Sequence, residues 1–498
     1  MPTNRRPNVL IISSDQQRFD AMGCYGNEHI RTPELDRLAG QGALFENAYS
    51  QSPMCAPSRA SLMTGLFPRN HGLWANGVEI DDRHRLLSRV LTDAGYDCGL
   101  VGKFHLGAAA EGRTERRVDD GFRMFEWAHD PIHPSPQNAY HRWLAENHPD
   151  VFAEFSATLA QPWETEAGNQ AKGALYLDTV RPEAHYSTWV AETALDFITD
   201  DRREGDQPFF LIANFFDPHH PFGAPEEFRA LYDAETLPKP VGSVEELAGK
   251  PSAQADWSAT SYGGTAPGFQ DYSPDEISEI IASYYAMVTQ VDTQAGRILR
   301  ALDEQGLAED TLVIFTSDHG EMLGDHGMIL KGPMMYDCAV RVPLLIRWPD
   351  HIPAGSRVET VTQTVDLTST ILAATGMTAA MPWAQGQDLA PLTQPEPKRA
   401  SGRDWALVEY RDSNFPQDPP IFTTMLRSGR HKITIWHGDP ATDRAAEGEL
   451  YDLDTDPAEL HNLWHQPGSE QLRTEMLIKL VDTQTGVEDR SRPRVAVW

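Results

Sequence analysis

Cysteine is scarce: four residues in 498, at positions 24, 55, 98 and 338, with no paired spacing and no metal-knuckle pattern. That excludes a disulfide-stapled scaffold, and free thiols suit a reducing compartment. The sequence also lacks an apolar run long enough to cross a bilayer. Its basic start, Met1-Pro2-Thr3-Asn4-Arg5-Arg6-Pro7, is followed by an apolar stretch too short for a secretory leader. A cytoplasmic location is therefore expected. Positive charge is in deficit, with 42 Lys and Arg against 73 Asp and Glu and a net charge of −31. A nucleic-acid or anionic-membrane partner needs positive surface and is excluded on that ground. An anionic substrate would have to be drawn in by local cations against an unfavourable overall field. No internal repeat is present.

The length fits one large domain plus a smaller one. Short, continuously apolar runs at 9–14, 98–102, 209–215 and 311–317 read as buried parallel strands. Between them lie helix-like stretches, such as 277–304, where Ile280, Ile281, Tyr284, Val288, Val291 and Ile298 recur at helical spacing. This alternation predicts an α/β sandwich around a mainly parallel sheet, with functional residues at the carboxyl ends of strands. Asp15 and the pair Asp318-His319 fall at such ends. Segments 128–180 and 238–272 lack clear periodicity and read as long loops over those ends. A proline-rich stretch around 376–400 reads as a linker, dividing the chain into a catalytic domain, 1–395, and a smaller C-terminal domain, 396–498. In the latter, 406–410 and 432–436 alternate like antiparallel strands.

The most informative segment is Met54-Cys55-Ala56-Pro57-Ser58-Arg59-Ala60-Ser61-Leu62-Met63-Thr64-Gly65. It reads as a loop entering a helix whose first turn tolerates Pro57. Cys55 then sits at a helix start, where free N–H groups and the dipole favour negative charge. Arg59 adds a fixed cation nearby. A nucleophile, an anion-friendly helix end and an arginine suit a sulfate or phosphate ester site. The run Cys-x-Pro-Ser-Arg-x-Ser-Leu-Met-Thr-Gly resembles the signature of type I sulfatases, an alkaline-phosphatase-like family. The resemblance implies that Cys55 is oxidised to formylglycine, whose hydrated aldehyde is the nucleophile. It also implies a large sheet flanked by helices, with a smaller antiparallel sheet after it.

Further motifs carry the same resemblance. Asp15, Gln16, Asp318 and His319, two polar pairs at two strand ends, could bind one divalent cation together with Cys55, and their oxygens suit calcium. Phe315-Thr316-Ser317-Asp318-His319-Gly320-Glu321-Met322-Leu323-Gly324-Asp325-His326-Gly327 is similar to the sulfatase metal loop. The commonest pattern has aspartate at 16 and asparagine at 319. Gln16 and His319 instead resemble the branch containing phosphonate monoester hydrolases and choline sulfatases, and they admit manganese as an alternative ion. Asp325 and His326 are expected to support that loop. In Val101-Gly102-Lys103-Phe104-His105-Leu106-Gly107, side-chain alternation along an extended segment places Lys103 and His105 on one side. By resemblance, Lys103 contacts the sulfate and a formylglycine oxygen, and His105 is the base that helps expel sulfate. Phosphonate hydrolases carry uncharged groups at these two places. Asp217-Pro218-His219-His220-Pro221 matches a Pro-His-x-Pro pattern that selects His219, and Lys331 matches a second active-site lysine. Either could bind the ester oxygens and assist the leaving group. Asn76 occupies a place where relatives put a polar substrate contact. Glu449-Leu450-Tyr451-Asp452-Leu453 resembles a late structural motif of the family.

These parts imply a sulfuric ester hydrolase acting on a small, aryl sulfate monoester through a covalent intermediate. A phosphonate monoester or phosphodiester hydrolase using the same site is the alternative. A non-catalytic binding protein with Cys55 unmodified is the third reading. The partners implied are a small anionic ester, a formylglycine-generating enzyme and a second copy of the chain. The basic, apolar end Arg490–Trp498 is a candidate docking segment for that copy.

Overall fold

Asn8–Ser14 (β1) is buried at all seven positions, so it reads as one apolar run rather than an alternating strand. In the computed structural model it lies near the middle of an eight-stranded sheet. The structure describes residues 6–109, 112–159, 180–203, 207–395, 400–413, 420–439 and 445–489. The other strands of this sheet are Ala43–Phe45 (β2), Asp97–Gly102 (β3), Met124–Trp127 (β4), Phe209–Asn214 (β5), Thr311–Ser317 (β6), Leu344–Arg347 (β7) and Ser356–Val358 (β8). Their order is β8-β2-β7-β6-β1-β5-β3-β4. Only β7 runs against its neighbours; every other pair is parallel.

Successive side chains of β1 enter different layers, as the pleat demands. Val9 and Ile11 pack with Ala56, Ala60 and Met63 of the helix Cys55–Thr64 and with Leu367 and Ile371 of Asp366–Ala374. Leu10 and Ile12 pack on the opposite face against the helices Pro33–Gln41, Tyr186–Ile198 and Pro274–Glu304. In chain order these five helices are α1 (Pro33–Gln41), α2 (Cys55–Thr64), α3 (Tyr186–Ile198), α4 (Pro274–Glu304) and α5 (Asp366–Ala374). The long helix α4 starts where Ser273 and Glu276 form a reciprocal capping box ahead of Pro274. From its middle, the buried Asp292 accepts the backbone N–H of Leu35 at 2.8 Å and caps α1.

Trp405–Arg411 (β9), Phe422–Ser428 (β10), His431–Trp436 (β11) and Glu447–Asp452 (β12) form a second, antiparallel sheet in sequential order. Leu407, Leu426, Ile433 and Leu450 face Met476 and Leu480 of Glu470–Gly486 (α6). The other face meets the body of the protein, and there the contact is polar as well as apolar. Lys432 Nζ lies 2.8 Å from both Asp337 Oδ1 and Glu459 Oε1. Tyr49 donates to the same Asp337 at 3.0 Å. Among the described residues no helix is long and apolar enough to cross a membrane.

The expected strands and the long helix are present, two expected loops need correction, and one strand was not anticipated. The segment 128–180 is not one irregular loop: Ala139–Asn147 and Pro149–Leu159 are helical. Asn138 caps the first, accepting the N–H of Tyr140 at 3.1 Å, and Pro149 opens the second. Segment 238–272 likewise contains the helix Ser252–Ala259. Strand β10 escaped notice because Phe422-Thr423-Thr424-Met425-Leu426-Arg427-Ser428 has no clean alternation. The segment Arg490–Trp498 lies outside the described residues.

Candidate active site

The register Ser14↔Ser317 aligns the ends of β1 and β6, so Asp15 and Asp318 leave the sheet side by side. Helix α2 begins opposite them with Cys55 as its first residue, after an extended Met54. Oxygen, nitrogen and sulfur atoms of Asp15, Cys55, Asp318 and His319 all lie within 4.8 Å of one another, and all four residues are buried. Two carboxylates, one imidazole and one thiol at that spacing fit a single divalent cation. Gln16 joins this group through its backbone, whose N–H donates to Asp318 Oδ1 at 3.1 Å. Its side chain turns the carbonyl to Lys331 Nζ at 2.6 Å and the amide nitrogen to Glu321 Oε2.

Three cations converge on these acids. Arg59 bridges them, with Nε 2.9 Å from Asp318 and Nη2 3.1 Å from Asp15. Lys103 Nζ lies 2.7 Å from Asp15 and 3.7 Å from Cys55 Sγ. Lys331 Nζ reaches the same sulfur at 3.4 Å, and His319 Nε2 is 3.1 Å from it. Burial and Asp15 push the Cys55 thiol up, but Lys103, Lys331 and His319 outweigh them and leave it below the ordinary thiol range. Burial likewise opposes ionisation of Asp15, yet the cations Lys103, Arg59 and Lys331 hold its carboxyl well below the usual value. The centre is thus a compact set of buried opposite charges around one sulfur atom.

Lys103 and His105 do come to the site, but not by extended alternation. The chain leaves β3 at Gly102 with φ +96°, and a Cβ there would lie 1.9 Å from the Asn214 carbonyl oxygen. His105 follows in the left-handed region at φ 60°. The Lys103 carbonyl accepts from Asn214 Nδ2 at 2.6 Å and from Arg59 Nη1 at 3.0 Å. On its far side, the turn is held by Glu115, whose carboxylate accepts backbone N–H groups of His105, Leu106 and Gly107. The His105 ring stands edge-on to His129, with centroids 4.5 Å apart. Burial, then His129, Lys103 and Arg59 keep the His105 imidazole neutral, well below its ordinary pKa.

His219 accepts from Lys331 Nζ through Nε2 at 2.7 Å, while its Nδ1 donates to the His220 carbonyl at 2.6 Å. These partners fix a neutral tautomer with its lone pair toward the lysine. Burial, Lys331 and His220 all press its pKa well down. The Asn76 side-chain oxygen accepts the N–H of Ala56 at 3.0 Å, so it props the start of α2 beside Cys55. Asp325 and His326 hold neighbouring segments: Asp325 pairs with Arg18 at 2.8 Å, and His326 meets Glu246 at 2.6 Å while stacking on Tyr336. Cys24, Cys98 and Cys338 are free thiols away from this group.

Sequence reasoning missed Glu115, Glu321, Asn214 and His129. Glu115 sits in Arg113-Thr114-Glu115-Arg116-Arg117, which reads as a solvated charge run, yet the side chain is buried. Glu321 lies inside the quoted metal-loop motif, where two glycines and a histidine around a buried acid were the available signal.

A mainly parallel sheet with a buried cysteine, clustered acids and cations at its carboxyl edge defines an ester hydrolase of the alkaline-phosphatase-like class. A structure of the phosphonate monoester hydrolase of Agrobacterium radiobacter superposes with TM-score 0.79 at 26% identity, covering 99% of this chain and 98% of that one. The sulfatase family model matches residues 7–377, and a model for the C-terminal part of N-sulphoglucosamine sulphohydrolase matches 324–486. The chain belongs to the sulfatase family. It is 28% identical to an arylsulfatase of Clostridium perfringens, over 92% of this chain and 90% of that protein. It is 30% identical to the multifunctional alkaline phosphatase superfamily protein PehA of Trinickia caryophylli, over 98% and 96% respectively.

Proposed function

We propose that the protein hydrolyses aryl sulfate monoesters after a formylglycine-generating enzyme has oxidised Cys55 to formylglycine. The observation that carries this reading is the convergence of Lys103 and Lys331 on Cys55 Sγ, at 3.7 and 3.4 Å. Here the sulfur atom marks where the modified side chain presents its oxygens. Formylglycine would supply a hydrated aldehyde as nucleophile, and calcium, or manganese as the alternative, would supply Lewis acidity held by Asp15, Asp318 and His319, while the Gln16 side chain, expected as a further ligand, instead holds Lys331. The rest is work for this chain's own groups. Lys103 and Lys331 bind the oxygens of the transferred group and balance the charge they gain in the transition state. Arg59 keeps the two aspartates in place. Lys331, freed of competition by a neutral His219, gives a proton to the departing alkoxide. His105, kept neutral, accepts the proton whose removal releases sulfate. Phe216 and Tyr262 flank the stacked rings of His219 and His220, with Phe216–His219 and His220–Tyr262 centroids 4.8 and 5.5 Å apart, and support an aromatic alcohol as leaving group.

Gln16 and His319, in place of the commoner acid and amide, favour a second reading as a phosphonate monoester hydrolase. Turnover of nitrophenyl sulfate and of a phenyl phosphonate monoester, on protein whose Cys55 peptide has been shown by mass to carry oxygen in place of sulfur, separates the two. A larger kcat/KM for the sulfate is expected. A larger value for the phosphonate would give the second reading precedence, and an intact thiol in fully active protein would remove the nucleophile.

A further inference from the structure

Glu115 accepts four N–H groups and touches no other polar partner in its described contacts. Its Oε2 takes the backbone N–H of His105 and the indole N–H of Trp127, each at 2.8 Å. Its Oε1 takes those of Leu106 and of Gly107, the latter at 3.0 Å. Three successive backbone N–H groups that open with a left-handed residue form a concave anion site, a nest. In P-loops and many phosphate sites such a nest receives an external anion; here the occupant is a side chain of the same chain. The fit is close. A Cβ on Gly107 would come within 3.2 Å of Glu115 Cγ, and Trp127, which closes the other side, is itself buried.

The turn so fixed is the one that presents Lys103 and His105. Its opposite edge is bonded through the Lys103 carbonyl to Arg59 and Asn214. A non-glycine residue at φ 60° is a strained backbone that persists only where its surroundings over-determine it. For His105 no side-chain bond supplies that constraint, since Nδ1 has no hydrogen-bond partner among the described residues. Nδ1 is free to accept a proton, and the ring's direction is set by the backbone turn together with its edge-on packing against His129.

From this geometry we infer that Glu115 is a positioning residue for His105: its carboxylate fills the nest of residues 105–107 and thereby aims the imidazole at the group bound on residue 55. The inference rests on the proposed hydrolytic role of His105. Each partner of Glu115 is a donor, so an amide in its place meets two of them with N–H groups of its own and leaves them unsatisfied. Glu115→Gln should therefore loosen the turn without removing any group that touches substrate.

The test is a double-mutant cycle on modified enzyme, read as kcat and KM for nitrophenyl sulfate, with hydrogen exchange of the peptide spanning residues 103–108. E115Q is expected to lower kcat by about 10²-fold, the scale of an ångström-level misplacement, with KM changed by less than about threefold. Combined with His105→Ala, it should add nothing beyond the loss caused by H105A alone. Amide exchange of residues 105–107 should accelerate while that of α2 stays unchanged. Multiplying losses in the double mutant, or wild-type kcat and exchange in E115Q, would overturn the assignment. If E115Q does not fold, Glu115→Asp, which keeps the charge one methylene short, carries the same cycle with a smaller loss expected. Failure of the wild type to cleave any sulfate or phosphonate ester would remove the hydrolytic reading, while the exchange comparison would still decide whether Glu115 holds the turn.

Discussion

Replacing Lys331 by alanine should change not only the rate but its dependence on the leaving group. The ammonium spends its three protons on Gln16 Oε1 at 2.6 Å, His219 Nε2 at 2.7 Å and Cys55 Sγ at 3.4 Å. The first two contacts fix its position, and the third aims at the reacting centre. His219 has its lone pair toward the lysine and its proton on the His220 carbonyl, so it has none to give on that side. Under the proposed reading, Lys331 is then the proton source for the departing oxygen as well as a cation beside the transferred group. Losing one preorganised donor of this kind costs about 10²–10³ in kcat, or about 3–4 kcal/mol. Losing a positioned acid costs a further factor of about 10²–10⁴, but only where the leaving oxygen needs the proton. Nitrophenyl sulfate, with a stable phenolate, should show the first loss alone, and phenyl sulfate should lose at least roughly tenfold more. The assay is kcat/KM for a series of substituted phenyl sulfates, plotted logarithmically against the leaving-group pKa for wild type and Lys331→Ala. The K331A line should be steeper. Parallel lines would refute the assignment of the acid to Lys331 and leave it only an electrostatic role.

Two further outcomes follow from the packing. Lys432→Met deletes the cation shared by Asp337 and Glu459 in the seam between the C-terminal sheet and the main body. Two buried carboxylates left facing each other should cost about 3–5 kcal/mol, seen as a lower urea midpoint; an unchanged midpoint would show that the seam contributes nothing. His71 is buried, accepts the Leu73 N–H at Nδ1 and lies 3.1 Å from Ser61 Oγ through Nε2; burial lowers its pKa from 6.5 to about 3. Below pH 6.5 the unfolded chain binds a proton here and the native chain does not, so stability falls as pH drops toward 3, by about 1.4 kcal/mol per pH unit. His71→Asn, which retains an acceptor for Leu73, should flatten urea-derived stability between pH 6.5 and 4.5 by about one proton's worth of slope; an unaltered slope would place the titration elsewhere.

The sheet was legible because buried parallel strands leave an unambiguous trace. The runs at 9–14, 98–102, 209–215 and 311–317 match β1, β3, β5 and β6 to within a residue or so. Their ends located Asp15 and Asp318, since ligands in such sheets gather where strands finish. Lys103 and His105 were found by motif, yet the backbone carrying them was misread. Alternation is a property of strands, and Gly102 ends the strand one residue earlier. Glu115 illustrates the harder limit. A charged residue among arginines is usually solvated, and only the folded turn reveals three N–H groups waiting for it. The C-terminal sheet was legible where strands alternate cleanly and illegible at β10, whose two threonines are buried and whose half-buried Arg427 bonds Asn47 and Tyr49, far away in sequence.

The depressed pKa of Cys55 has a consequence for the unmodified protein. Lys103 and Lys331 favour ionisation of this thiol, and any thiolate formed there is an anion lodged between two ammonium groups. Under the proposed reading, oxidation to an uncharged aldehyde does more than create a nucleophile: it evicts an internal counter-ion and releases two ammonium groups for an incoming one. The precursor would then carry its own competitor for anionic esters, and maturation would act as a charge switch that opens the anion site at the moment the chemistry becomes available.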